Sequence, residues 1–240
     1  MGRYEEEVYS EILDWKRKLL KKPKMFQRMT KELQGKINEK IPNKAHQIIT
    51  EGIKNFIKAT LTGSQLITRK GEEATLTLQE RDTKFEEKLS TYRKSAVVEG
   101  AGTGAGGLLI GLADFPLLLT IKMKFLFDIA NLYGFDTKQY EERIFILLVF
   151  QLAFSSTEKR KETMDIIENW EERKSKLVEL DWKEFQQEYR DYIDFVKMLQ
   201  LVPGIGAFVG AYANYNLLDQ LGETARNCYR LRWLTIPPKI

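Results

Sequence analysis

The sequence predicts an all-α protein folded as a single helical domain over residues 1–240, and three observations carry that prediction. Apolar residues recur at three- and four-residue intervals through most of the chain, the signature of one buried stripe on a helix. No alternation of apolar and polar residues lasts more than a few positions, so no strand is expected. The composition, 30% charged and 43% hydrophobic with a net charge of +4, is that of a chain that folds rather than one that stays disordered.

Taken in order, residues 1–14 are acidic and amphipathic, unlike the basic patch and apolar core that open a secretory signal. With the single Cys228, which excludes a disulfide within the chain, this places the protein in the cytoplasm. Between Lys16 and Lys44 stand eleven Lys or Arg against two acids, Glu32 and Glu39, so this one segment carries more positive charge than the whole protein and makes the N-terminal region, about 1–44, basic. Lys16, Arg17, Lys18, Lys21, Lys22, Lys24 and Arg28 head this run and suit an anionic membrane surface or lipid. Nucleic acid is not expected, because the run lacks zinc-ligand spacing, an RNP-like aromatic motif and a recognition-helix pattern.

Ala45, Ile48, Ile49, Ile53, Phe56 and Ile57 predict a helix over 43–60, which the Thr62-Gly63-Ser64 step ends. A second is predicted over 74–98 from Leu78, Phe85, Leu89, Tyr92 and Ala96. Residues 96–136 then combine a glycine cluster with an apolar run broken at Asp114-Phe115-Pro116. On a helix, Gly100, Gly104, Gly107 and Gly111 share one face, and each costs helical stability of about 1 kcal/mol relative to alanine. Such a helix needs a neighbour packed closely against its bare backbone. Proline 116 makes this segment a helical hairpin, since proline lacks a backbone donor and disfavours helix in the residue before it.

The helix predicted over 117–133 carries a polar stripe, Thr120, Lys124, Asp128 and Asn131, on an otherwise apolar surface. Lys124 and Asp128 are spaced to pair. The stripe meets polar groups in the core or lines a ligand cavity. Residues 140–154 read as an apolar helix too short to span a bilayer, which takes about 20 residues. Further helices are predicted over 158–179 and 182–201, the second stopped by Pro203. A second glycine-faced segment, about 201–234, presents Gly206 and Gly210 four apart, followed by Asn214 and then Arg226, Arg230 and Arg232. The two glycine-faced segments are expected to pack on each other.

Catalytic chemistry finds little footing. Gly102, Gly104 and Gly107 spell G-x-G-x-x-G, but helix rather than strand precedes them and no G-K-[ST] occurs. His46, the one histidine, falls beside the stripe of a basic helix, far in sequence from Cys228, and no H-E-x-x-H is present. No catalytic residue, metal ligand or cofactor is therefore assigned. Asp114, Thr120, Lys124, Asp128, Asn131, Asn214 and Arg226 are the candidate ligand-lining residues, and an enzyme, whether a hydrolase or a nucleotide-binding protein, would have its site where Asp114, Lys124 and Asp128 converge with Asn214 or Arg226.

Together, the block GAGTGAGGLLIGLADFPLLLTIKMKFLFDIANLYGFD and the block LVPGIGAFVGAYANYNLLDQLGETARNCYRLRWL resemble the EcsC family of bacterial proteins. The resemblance rests on the glycine cluster, Asp114 to Pro116, Lys124, Ile129-Ala130, Tyr133-Gly134-Phe135-Asp136 and the Pro203, Gly206, Gly210, Asn214 pattern. Family members often carry arginine where Lys124 stands, which keeps the charge but not a bidentate fork. The family takes its name from an operon encoding an ABC transporter. The resemblance thus implies a cytoplasmic protein at or near the membrane, with lipid or ABC transporter subunits as partners. It implies no catalytic activity and no catalytic residue. A protein–protein scaffold would suit the same features.

Overall fold

A computed structural model describes residues 2–21, 43–63, 75–103, 115–155, 157–179 and 210–235. Eight helices lie among the described residues: α1 (Arg3–Leu20), α2 (Asn43–Thr62), α3 (Leu78–Thr103), α4 (Phe115–Leu132), α5 (Tyr140–Phe154), α6 (Thr157–Glu168), α7 (Trp170–Glu179) and α8 (Gly210–Thr235). The fold described is all-α, and no strand element occurs among these residues. The helix expected over 182–201 lies outside the described residues, as do Pro203 and Gly206.

At the centre runs α5. Every residue from Ile144 to Phe154 is buried, so this helix is apolar on all sides and has neighbours on all sides. Helices α2, α6, α7 and α8 pack around it, with α4 alongside and α1 and α3 outside. Aromatic rings fill the gaps: Phe150 lies 4.4 Å from Phe56 of α2 and 4.7 Å from Phe154, centroid to centroid. Fully burying a phenylalanine contributes about 1.5–3 kcal/mol, and α5 alone buries Phe145, Phe150 and Phe154.

Local chemistry sets the helix ends. Thr77 and Glu80 form a capping box at the start of α3: the Glu80 carboxylate accepts from the Thr77 backbone N–H at 2.8 Å, and the Glu80 N–H donates to Thr77 Oγ1 at 3.3 Å. That box delays the helix to Leu78 where periodicity alone suggested 74. At its other end α3 runs on to Thr103, past the expected 98. The stretch expected as one helix over 158–179 divides at Asn169, whose side-chain amide donates to the Asp165 carbonyl at 2.9 Å while its own carbonyl accepts from Glu172 and Arg173. The break lets Trp170 turn inward, to 5.2 Å from the Phe145 ring.

Two glycines end helices in the left-handed conformation that a side chain rarely adopts. At Gly63 (φ 70°) the chain leaves α2, and a Cβ there would meet Arg143 Cδ at 2.9 Å. Arg143 occupies that corner because it donates to the Leu61 carbonyl at 2.8 Å, placing a cation at the C-terminus of α2. At Gly134 (φ 92°) the chain leaves α4 through paired bonds, Phe135 N–H to the Ala130 carbonyl at 3.0 Å and Gly134 N–H to the Asn131 carbonyl at 2.9 Å.

Helices α3 and α8 run antiparallel in close contact, in a register that their ion pairs define. As the α3 partner advances through Asp82, Glu86 and Arg93, the α8 partner recedes through Arg230, Arg226 and Asp219, eleven residues each way. Between these rungs Gly222 faces Leu89: a Cβ there would approach Leu89 Cδ1 at 3.0 Å and Phe85 Cζ at 3.5 Å. Gly222→Val, which inserts a branched side chain into this seam, is expected to destabilise the fold by about 1–3 kcal/mol. The urea midpoint, followed by far-ultraviolet circular dichroism, measures it.

Candidate functional site

Among the described residues, polar side chains gather in a buried network at the base of the α3–α8 seam, in a second buried pair beside it, in a cleft further along that seam, and on the exposed flank of α1.

The network centres on Asp82. Its carboxylate accepts from Arg230 Nε at 2.9 and 3.0 Å, from the Tyr4 hydroxyl at 2.7 Å and from the Tyr133 hydroxyl, while Arg230 Nη1 also reaches Glu11 at 2.9 Å. The side chains of Asp82 and Arg230 are 7% and 5% exposed, so the pair is effectively desolvated. Beside it, Arg81 donates to the backbone carbonyls of Leu132 and of Leu76, tying α3 to the C-terminus of α4. The network joins α1, α3, α4 and α8 at one end of the bundle.

Burial raises the phenols here, and hydrogen bonding to Asp82 adds to it. Tyr4 is pushed up to about 12, and Tyr133 is held well above its ordinary value. Burial, then Asp128, raises Tyr92, and burial raises Tyr229. Each folded-state value lies above the unfolded one, so the contribution to stability is complete below about pH 10 and is lost as pH rises through the folded values. The urea midpoint should therefore fall between about pH 9 and about pH 11. The share of the tyrosinate absorbance that belongs to these four of the ten tyrosines should appear only together with unfolding; full tyrosinate absorbance in the still-folded protein would contradict the assignment.

Near this network a second buried pair secures α5. Arg232 donates to both carboxylate oxygens of Glu142 at 2.7 and 2.8 Å. Its guanidinium carbon lies 4.0 Å from the Phe135 ring centroid and 4.3 Å from that of Phe145.

Along the seam, Phe85, Glu86, Arg93, Asp219, Glu223 and Arg226 line a cleft of about 400 Å³. Arg226 bonds Glu86 at 2.6 Å and lies 5.3 Å above the Phe85 ring, and Arg93 pairs with Asp219. Carboxylates and guanidiniums line it, with no hydroxyl, thiol or imidazole among its lining residues, so its chemistry is that of binding charge.

Of the candidate ligand-lining residues, Arg226 is in this cleft and the α4 stripe is elsewhere. Thr120 is exposed and donates to its own Pro116 carbonyl at 2.9 Å, and Lys124 is exposed. Asp128 accepts from Tyr92 of α3 at 2.6 Å, and buried Asn131 accepts from Thr137 at 3.3 Å. The stripe thus divides, its first half facing outward and its second half bonded into the bundle. Asp114 lies outside the described residues, and so do the side chains of Asn214 and His46. Gly104, Gly107, Gly111 and Gly206 are also outside them; Gly100 lies in the last turns of α3 and Gly210 opens α8. Cys228 is fully buried, and burial pushes its thiol well up.

The sequence does not single out Asp82, Glu142, Tyr4 or Tyr229, and it marks Tyr92 only as part of a helix face and Tyr133 only as part of the family resemblance. A signal was present: acids at 82 and 86 and arginines at 226 and 230 repeat the same four-residue spacing with opposite sign.

On the flank of α1, Arg17, Lys18 and Lys21 are exposed, Arg17 also pairing with Asp14, and so are the apolar side chains of Tyr9 and Leu13. Lys16 is engaged with Glu168 of α6. Lys22, Lys24 and Arg28 lie outside the described residues. No helix among the described residues is long and apolar enough to cross a membrane.

Comparison with known proteins supplies a family. The model of the EcsC protein family matches residues 6–234. Protein EcsC of Bacillus subtilis (strain 168) is 53% identical over 227 residues, 95% of each chain. The uncharacterized protein YdbA of the same strain is 34% identical over 142 residues, 58% of this chain and 52% of YdbA. No solved structure matches.

Proposed function

The chain belongs to the EcsC family, and from that premise we propose that it is a membrane-peripheral accessory protein that binds anionic lipid and works beside an ABC transporter. The observation that carries the lipid part is the flank of α1. Exposed Arg17, Lys18 and Lys21 follow exposed Tyr9 and Leu13 on a helix whose other face, Val8, Ile12 and Trp15, is buried in the bundle. Cations beside exposed apolar side chains suit a surface that is negatively charged outside and apolar beneath. The basic sequence continues past α1, so the described residues hold only the first part of the charge. The transporter part rests on the family resemblance alone.

Flotation with lipid vesicles tests the reading. The protein should float with vesicles containing phosphatidylserine, fail to float with purely zwitterionic ones, and be released by high salt. Each basic residue near an anionic surface contributes about 1 kcal/mol, so the triple reversal Arg17→Glu, Lys18→Glu, Lys21→Glu should weaken binding by at least about tenfold. Lys16 is left alone because its pairing with Glu168 supports the fold. Binding indifferent to salt and to the reversal would sink the mechanism.

A further inference from the structure

We propose that the cleft on the α3–α8 seam is a binding site for a linear aliphatic polyamine, a triamine in particular. The site needs no membrane and stands apart from the lipid surface proposed for α1.

The charge of the cleft sets the class of ligand. Three carboxylates, those of Glu86, Asp219 and Glu223, line it against the two guanidiniums of Arg93 and Arg226. Both guanidiniums are committed: Arg93 Nε donates to Asp219, Arg226 Nη1 donates to Glu86, and Arg226 also lies 5.3 Å above the Phe85 ring. Each pair engages one carboxylate oxygen and leaves the other to accept from a ligand. Glu223 is exposed and forms no ion pair among the described residues. Glu86 is 55% exposed against 27% for its Arg226, so the acid stands nearer the mouth. An anion entering the cleft would have to break an ion pair, whereas an ammonium group meets acceptor oxygens already in place.

Spacing sets the shape of that ligand. The register of the seam puts Glu86 level with Arg226; from there Glu223 is three residues along α8 and Asp219 four further, about 4.5 and 6 Å of helical rise. Positions 219, 223 and 226 share one face of α8, as 86 and 93 share one face of α3, so the carboxylates follow a line along the seam. Ammonium groups separated by three and then by four methylenes repeat those two intervals in the same order. Beneath the line lie Phe85 and Leu89, buried and apolar, which suit the methylenes between the charges. The walls are fixed before any ligand arrives. Gln220 is tied to the Ala153 carbonyl at 2.7 Å, and Gly222 brings α8 against Leu89.

Isothermal titration calorimetry with spermidine, on the full chain and without lipid, tests the site. One spermidine should bind per chain, and more tightly than the diamine putrescine, which reaches only two of the three carboxylates. Glu223→Gln removes a carboxylate that holds nothing in the fold and should weaken binding by about tenfold, the loss of one hydrogen bond to a charged group. Glu87→Gln removes the same charge from an exposed position of α3 outside the cleft and should leave binding unchanged. Circular dichroism checks that each variant is folded; if Glu223→Gln is not, Glu86→Gln carries the same expectation. Magnesium ion at equal ionic strength should not displace spermidine, because a compact ion cannot span the line of carboxylates. An equal loss in Glu87→Gln, full competition by magnesium, or no saturable binding of spermidine overturns the inference, and so does binding of inorganic phosphate in its place. None of these outcomes bears on flotation with vesicles.

Discussion

Replacing Asp82 with alanine should cost the fold about 3–5 kcal/mol, the loss typical of breaking a buried ion pair by removing one partner. The substitution strands Arg230, 5% exposed, and deprives the Tyr4 and Tyr133 hydroxyls of their acceptor. Glu11 can hold the guanidinium only from the solvent side, being itself largely exposed. The origin of the loss is open to a direct check. If it arises from orphaned buried charge, then Asp82→Leu combined with Arg230→Met, which removes both charges, should be more stable than Asp82→Ala alone, although it deletes more hydrogen bonds. Urea denaturation of the two variants decides the matter. A double variant no more stable than Asp82→Ala would mean that the hydrogen bonds, not the desolvated charges, set the energetics.

Arg232→Met should be as damaging, again by about 3–5 kcal/mol, because it leaves the Glu142 carboxylate buried without its bidentate partner. Lysine is a poor substitute. Its ammonium is a strongly hydrated point charge that cannot lie flat between Phe135 and Phe145 while holding both oxygens. Arg232→Lys is therefore expected to recover less than half of the lost stability, and Glu142→Gln in the Arg232→Met background to recover more than lysine does. Thermal and urea unfolding of the three variants separate these outcomes. If lysine restored full stability, charge alone would be what the site requires.

What the sequence made legible depended on how far each signal reaches along the chain. Helix α5 was read with its observed ends, because an apolar run bounded by polar residues announces itself locally. Helix α2 was read to within two residues at its C-terminal end, since Gly63 marks the stop. The start of α3 was missed by four residues although T-x-x-E stands at Thr77–Glu80, a cap signature that periodicity does not weigh. Candidate sites fared less evenly. The α4 stripe was a real periodicity, but spacing identifies residues on a common face without saying what that face meets. Asp128 takes its hydrogen bond from Tyr92, 36 residues away, and Thr120 and Lys124 are exposed. The Asp82–Arg230 pair spans 148 residues, and no local pattern reports a contact between helices so distant.

That distance has a consequence for the chain as it is made. Helix α8 supplies Leu218, Leu221, Ala225 and Tyr229 to the core and answers each ion-pair rung of α3, yet it is the last of the described helices to be synthesised. Until it emerges, the side of α5 that it covers faces water, and Asp82 waits beside Tyr4 and Tyr133 without its arginine. At about 5–20 residues per second, the interval between finishing α3 and finishing α8 is on the order of ten seconds. For that time the nascent protein is an apolar bundle open along one side, the side on which a contact with another chain would compete with α8.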